Sequence, residues 1–160
     1  MSAPHPNVVR VTDAAADLGL DIEVVEYPDG TRTAPDAAAA VGCDVAQIVK
    51  SLVFVLDGAP CLALVAGDHR LDSELLAAAL DGERVERADA ELVRAATGFP
   101  IGGVPPIAHA TELPVALDRS LLDHQIVWAA AGTPRHVFGV APAALFEAVG
   151  GVTAELGEGS

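Results

Sequence analysis

Lysine is nearly missing from this sequence. Of its 9 cationic side chains only Lys50 is a lysine; the rest are arginines at positions 10, 32, 70, 84, 87, 94, 119 and 135. Aromatic residues are also scarce, at 4% against 51% hydrophobic residues. Alanine, valine and leucine must therefore build the core. No apolar run approaches the roughly 20 residues that a membrane-spanning helix needs. The longest, 52–56 and 61–66, are strand-sized, and residues 1–7 lack the basic-then-apolar pattern of a signal peptide. The expectation is a cytoplasmic chain with no membrane partner. Cys43 and Cys61 form no CxxC pair and have no histidine at ligand spacing, so free buried thiols are expected rather than a disulfide. HExxH and HxH patterns are absent, which argues against a metal, and no cofactor is expected. Gly-x-Ser-x-Gly is absent, which argues against a serine hydrolase. A basic stripe is missing too, and the net charge is −14. Nucleic-acid binding normally shows as a basic surface. Either the protein touches RNA only at its end, or a partner supplies the grip, or the ligand is not RNA.

The length fits one domain over residues 1–160, with 1–6 and 151–160 expected to fray. Asn7 reads as the cap of a first helix stopped by Gly19. A strand over 22–26 leads into a turn at 27–30. Thr33 caps a second helix closed by Gly42, and Asp44 caps one more turn. The clearest signal comes next: an apolar strand over 51–56, an Asp57-Gly58 hairpin turn and a return strand over 61–66. Neither strand alternates, so both should be buried on both faces. Asp72 or Ser73 and then Asp89 cap two further helices around a short strand at 84–86. Strands over 115–117, 125–130 and 135–140 and a helix from Pro142 complete the chain. Helices and strands mix without strict βαβ order. The expected class is α/β in the mixed α+β sense, a mixed sheet with helices packed around it.

Two features could carry chemistry. Lys50 stands at the mouth of the apolar strand, where its ammonium could polarise a carbonyl or hold a phosphate; a lysine snorkelling at a strand end is the plainer alternative. The second is the segment 97–109, where Gly102 and Gly103 let the backbone approach a ligand and Pro105 and Pro106 stiffen the second half of the loop. Long loops in compact domains are usually functional or disordered, and this one is apolar and prolyl. No Gly-Lys-Ser/Thr succeeds its glycines, so it is not a phosphate-binding P-loop. Among the histidines, His109 is the best candidate because it adjoins this loop. Arg32, Arg70 and Arg135 are the candidates for a basic rim.

The stretch Val45-Ala-Gln-Ile-Val-Lys-Ser-Leu-Val-Phe54 resembles the helix-turn-strand of the YbaK/prolyl-tRNA-synthetase-associated domain family (YbaK/EbsC-like proteins). There a lysine followed by serine or threonine opens a strand. The loop Thr97-Gly-x3-Gly-Gly-Val-x-Pro-Ile107 resembles that family's glycine-proline substrate loop, and Tyr27 resembles a pocket residue. The resemblance covers roughly the whole chain. It implies a mixed sheet curled toward a barrel, and a metal-independent aminoacyl-tRNA deacylase that hydrolyses the ester of mischarged tRNA in trans. Partners would be the acceptor end of aminoacyl-tRNA and an aminoacyl-tRNA synthetase. Lys50 would be catalytic, positioning or polarising the ester. Tyr27, Ser51, Gly102, Gly103, Pro105, Pro106, His109 and Gly132 would bind substrate, with backbone amides near Gly102 and Gly103 on the carbonyl oxygen. Two positions depart from the family. Ala108 stands where the loop usually ends in glycine. The segment Gly132-Thr-Pro-Arg-His-Val-Phe138 lacks the aspartate of cysteinyl-tRNA-editing members. The alternative function is a non-catalytic module binding a small molecule, nucleotide or peptide in the same pocket. Oligomeric state has no signature in the sequence.

Overall fold

The structure is a computed structural model that describes residues 5–27 and 33–159. Helix α1 spans Pro6–Asp17, capped by His5, whose Nδ1 accepts from the Asn7 N–H at 3.0 Å. The cap is therefore His5 and not Asn7. Pro6 suits the first helical position, having a fixed φ and no N–H to satisfy, and so starts the helix earlier than the Asn7 signal implies. Asn7 is freed to donate from Nδ2 to the Gly132 carbonyl at 3.0 Å. Strand β1 is Glu23–Glu26. Most of the turn expected at 27–30 lies outside the described residues. Helix α2, Ala34–Val41, is capped by Thr33 and ends on Gly42 at φ 76, as its sequence signals require. A 3-10 turn, Val45–Gln47, with an Asp44/Gln47 capping box leads into the central hairpin.

Strand β2 runs Ile48–Leu56 and β3 runs Ala59–Ala66. Asp57 and Gly58 both have positive φ, as the tight hairpin turn demands. Strand β2 starts at Ile48 rather than Ser51. Ile48 and Val49 also pair in parallel with Trp128 and Ala129, so Lys50 lies inside the strand rather than at its mouth. The expectation of full burial holds for β3 but not for β2, most of whose residues are half-buried.

Then come β4 (His69–Leu71), α3 (Ser73–Ala79, capped by Asp72), β5 (Val85–Arg87) and α4 (Ala90–Thr97, capped by Asp89). Beyond the long loop lie β6 (Val115–Asp118), a 3-10 segment (Arg119–Asp123), β7 (Val127–Ala130), β8 (His136–Val140) and α5 (Pro142–Val149). The tail expected to fray instead forms β9 (Val152–Ala154) and β10 (Gly157–Gly159). Leu156 between them is wholly buried, and Gly157 passes so close to the Arg70 carbonyl that a Cβ would collide with it. One apolar anchor and one close approach order a segment that reads as polar and glycine-rich.

The main sheet is mixed, with order β1-β8-β7-β2-β3-β6-β9; β5 pairs separately with β2, and β10 pairs with β4. One core cluster, including Val53, Leu62, Leu64, Phe99, Val104 and Ile107, packs on one face. Another, including Cys61, Ala63, Val65 and Leu76, packs on the other. Cys61 is buried and Cys43 half-buried, both as free thiols.

Candidate functional site

A gap in the main sheet makes the site. One edge of β2 is covered throughout by β3. The other is covered by β7 at Ile48 and Val49 and by β5 from Phe54 to Leu56. Between them, at residues 50–53, no strand covers that edge among the described residues. A cavity of about 880 Å³ opens here, lined by residues 48–54 of β2, by Ile101, Gly102 and Val104 of the loop, and by Ala34, Ala37 and Trp128.

The two faces of β2 bring different chemistry to this gap. Directly paired residues on neighbouring strands share a face. Lys50 pairs with Val65, which places it on the face of the Cys61–Val65 cluster, with Arg70 and Arg87 of the cavity lining nearby in β4 and β5. Ser51 pairs with Leu64, on the face of Phe99 and Val104, which carries the loop. The Ser51 Oγ is buried and has no hydrogen-bond partner among the described residues.

The Lys50 ammonium donates a hydrogen bond to the His69 carbonyl, and its other two N–H groups have no partner among the described residues. The His69 ring is itself held: its Nδ1 lies 2.9 Å from the Asp118 Oδ2. Asp118 is 1% exposed and also accepts from the Ala66 and Ser120 N–H groups, so it pins the corner that carries His69. Burial pulls the Lys50 pKa below the ordinary lysine range, and the carboxylates of Asp68 and Asp118 oppose that shift. Asp118→Asn removes one of those charges and keeps the shape. Lys50 should then titrate lower still. The sole lysine gives one labelled side-chain signal by NMR, so the measurement is unambiguous. An unchanged midpoint would show that Lys50 does not feel the Asp118 charge.

The loop has an anchored base and an open tip. Ala110 N–H donates to Thr97 O at 2.9 Å, and Thr97 Oγ1, wholly buried, donates to Val93 O at 2.7 Å. Phe99, Val104 and Ile107 plug the loop into the core, while Ile101 at the tip is 59% exposed. Gly102 has φ 87, a conformation that favours glycine.

Several expected binding residues hold this loop and do not line the cavity. The Gly103 N–H donates to Pro100 O at 3.0 Å, so it is spent inside the turn and not free for a carbonyl oxygen. A Cβ on Gly103 would lie 2.9 Å from both the Gly132 O and the Thr133 Cα, so glycine here lets the loop seat on the β7–β8 turn. Gly132, at φ 101, seats that turn on Asn7. Pro105 and Pro106 are buried. His109 Nε2 lies 2.7 Å from Pro105 O, and burial pushes its pKa down, so a neutral imidazole braces the loop from within. Tyr27 continues the β1–β8 ladder through its N–H to Arg135 O at 2.8 Å; burial, then the Cys43 thiol, pushes its phenol up. Ala108 sits at φ 71, in the left-handed region that favours glycine.

Of the candidate rim arginines, Arg70 lines the cavity, Arg135 does not, and Arg32 lies outside the described residues. Arg87 lines it too, and sequence reasoning misses it. Its signal is present in β5, but a three-residue strand gives no hint of which strand it joins. Among the described residues Glu86 is the one carboxylate in the lining, against Lys50, Arg70 and Arg87.

Residues 28–148 match the model of the aminoacyl-tRNA editing domain. A crystal structure described as a candidate trans-editing enzyme for prolyl-tRNA synthetase superposes with a TM-score of 0.91 at 46% identity, over 98% of this chain and 100% of that one. A proline–tRNA ligase from a Geobacter species is 37% identical over 100 residues, 62% of this chain and 17% of the ligase. The corresponding ligase of Latilactobacillus sakei is 29% identical over 113 residues, 71% of this chain and 20% of the ligase. The chain thus spans a fifth or less of the length of these curated relatives. No described helix is long and apolar enough to cross a membrane. With the family model covering most of its length, and the lysine strand and glycine-proline loop meeting at one cavity, the chain belongs to the aminoacyl-tRNA editing domain family.

Proposed function

We propose that this protein is an aminoacyl-tRNA deacylase that hydrolyses the ester of mischarged tRNA in trans, without a metal. One observation carries the reading. In a chain of net charge −14, the cavity shared by the only lysine and the glycine-proline loop gathers Lys50, Arg70 and Arg87, with Glu86 the only carboxylate among its described lining residues. A module for an uncharged or cationic small molecule has no use for that local reversal of sign; a terminal nucleotide with its phosphate does. The small cationic patch also reconciles the acidic chain with an RNA substrate. Only the acceptor end need be gripped, and a synthetase or another partner could hold the rest.

The chemistry asked of the site is modest, because an aminoacyl ester is already activated. Water adds to the ester carbonyl carbon. The bond to the ribose oxygen then breaks, and that oxygen leaves with a proton. Lys50 stabilises negative charge as it develops near the reacting ester, acting as a fixed point charge at a partly buried site. Arg70 and Arg87 hold phosphate. Gly102 and Val104 shape the space for the amino-acid side chain, which is apolar on that side.

Removing the two arginines tests this division of roles. Arg70→Ala/Arg87→Ala should raise KM for a mischarged tRNA by roughly tenfold, as expected for lost charged hydrogen bonds. It should weaken the salt dependence as well. Hydrolysis of the same aminoacyl group on a phosphate-free adenosine should be unchanged. Equal loss on both substrates would assign the arginines to folding instead.

A further inference from the structure

The gap in the sheet exposes backbone as well as side chains. In a strand, successive residues direct their N–H and C=O to opposite edges. Gly67 N–H donates to Ile48 O at 2.8 Å, so the even-numbered residues of β2 face β3. Asp57 N–H donates to Arg84 O at 2.9 Å, so the odd-numbered ones face β7 and β5. The parallel ladder with β7 ends at the Val49–Ala129 pair and the antiparallel ladder with β5 begins at the Phe54–Arg87 pair. The N–H and C=O of Ser51 and the N–H of Val53 therefore point into the cavity, unpaired by any described strand. Backbone groups taken out of water are almost always satisfied. Here three lie together, beside the only lysine, in one short gap of the sheet.

We infer that this open edge of β2 binds the aminoacyl group of the substrate as a strand would bind, with the α-ammonium donating to the Ser51 carbonyl and the ester carbonyl accepting an N–H from the same edge. The inference rests on the deacylase reading and deepens it. An aminoacyl ester carries a donor and an acceptor on either side of one Cα, the same spacing that lets a residue exchange two hydrogen bonds with a neighbouring strand. In the antiparallel sense the carbonyl takes the Ser51 N–H; in the parallel sense it takes that of Val53. Either N–H is fixed in the sheet and needs no reorganisation as charge builds on the oxygen, which is what an oxyanion donor requires. The Gly103 N–H is already bonded to Pro100 O and is not available for this role. The edge reads backbone atoms that all α-amino acids share, so choice among side chains is left to the loop. It also rejects esters without an α-amino group, whose binding would leave the Ser51 carbonyl unpaired.

Amide hydrogen exchange of the full chain tests the inference. The probe is an adenosine carrying an amide-linked amino acid at its 3′ position, which cannot be hydrolysed, together with the matching desamino compound. Without ligand, the Ser51 and Val53 amides should exchange faster than those of Leu52 and Phe54. At saturation with the amino compound, the Ser51 or the Val53 amide should slow at least about tenfold, which corresponds to about 1.4 kcal/mol. The desamino compound should bind at least about tenfold more weakly. Binding that shifts the Lys50 signal but protects neither amide, or equal affinity for both compounds, would overturn the docking on β2 and leave the deacylase reading standing. No binding of either compound, together with no deacylation of tRNA, would remove the reading on which the inference rests.

Discussion

Lys50→Ala is expected to lower kcat/KM for deacylation by about 10²–10³-fold, the range found when one preorganised group that stabilises a developing oxyanion is deleted. The size reflects where the ammonium sits. It is half-buried, held by the His69 carbonyl, and its corner is fixed by the buried Asp118. A charge fixed in place needs no reorganisation during the reaction and is poorly screened by water. Because Lys50 is the only lysine, no neighbouring amine can substitute for it. Lys50→Arg should restore little, since the planar guanidinium cannot occupy the place of a compact ammonium. Single-turnover kinetics on one mischarged tRNA measure both variants. A loss below about threefold would make Lys50 a bystander.

Gly132→Ala should be the most damaging single methyl in the region of the site. Its φ of 101 strains any side chain, and its Cβ would lie 2.8 Å from the Asn7 carbonyl oxygen. Backbone strain of this kind costs about 1–3 kcal/mol and forced overpacking about 1–3 more. For a domain of this size that lowers Tm by on the order of 10 °C. Three elements meet at this point: the start of α1, the β7–β8 turn, and through Gly103 the loop. The variant should therefore also loosen the loop tip. Thermal unfolding reads the first effect. A Tm within about 2 °C of wild type would mean that the junction yields freely and does not hold the loop.

Much of this is legible in the sequence. Caps at Thr33, Asp72 and Asp89, the Asp57-Gly58 hairpin and the apolar β2–β3 pair are local signals, and local signals survive folding. The lone Lys50 and the Gly102 loop both stand out as candidates, and they share the cavity. The features that escape depend on pairing over long distances. Lys50 lies within its strand because β3 and β7 both pair with the residues before it. The tail is ordered because β6 and β4 accept β9 and β10 as partners. The gap at residues 50–53 is a property of three strands at once and has no signature in any one of them. The placement of Gly103, Gly132 and His109 escapes for a related reason. Glycines and a histidine near a binding loop look alike whether they touch a ligand or seat the loop, and only the packing against Thr133, Asn7 and Pro105 separates the two.

The most direct measurement is release of amino acid from a panel of mischarged tRNAs by this protein, at catalytic concentrations and with uncharged tRNA as control. Selective release from at least one member of the panel, abolished in Lys50→Ala, is the expected result. No release from any member, with the protein folded and in excess, would contradict the assignment of this cavity to aminoacyl-tRNA hydrolysis.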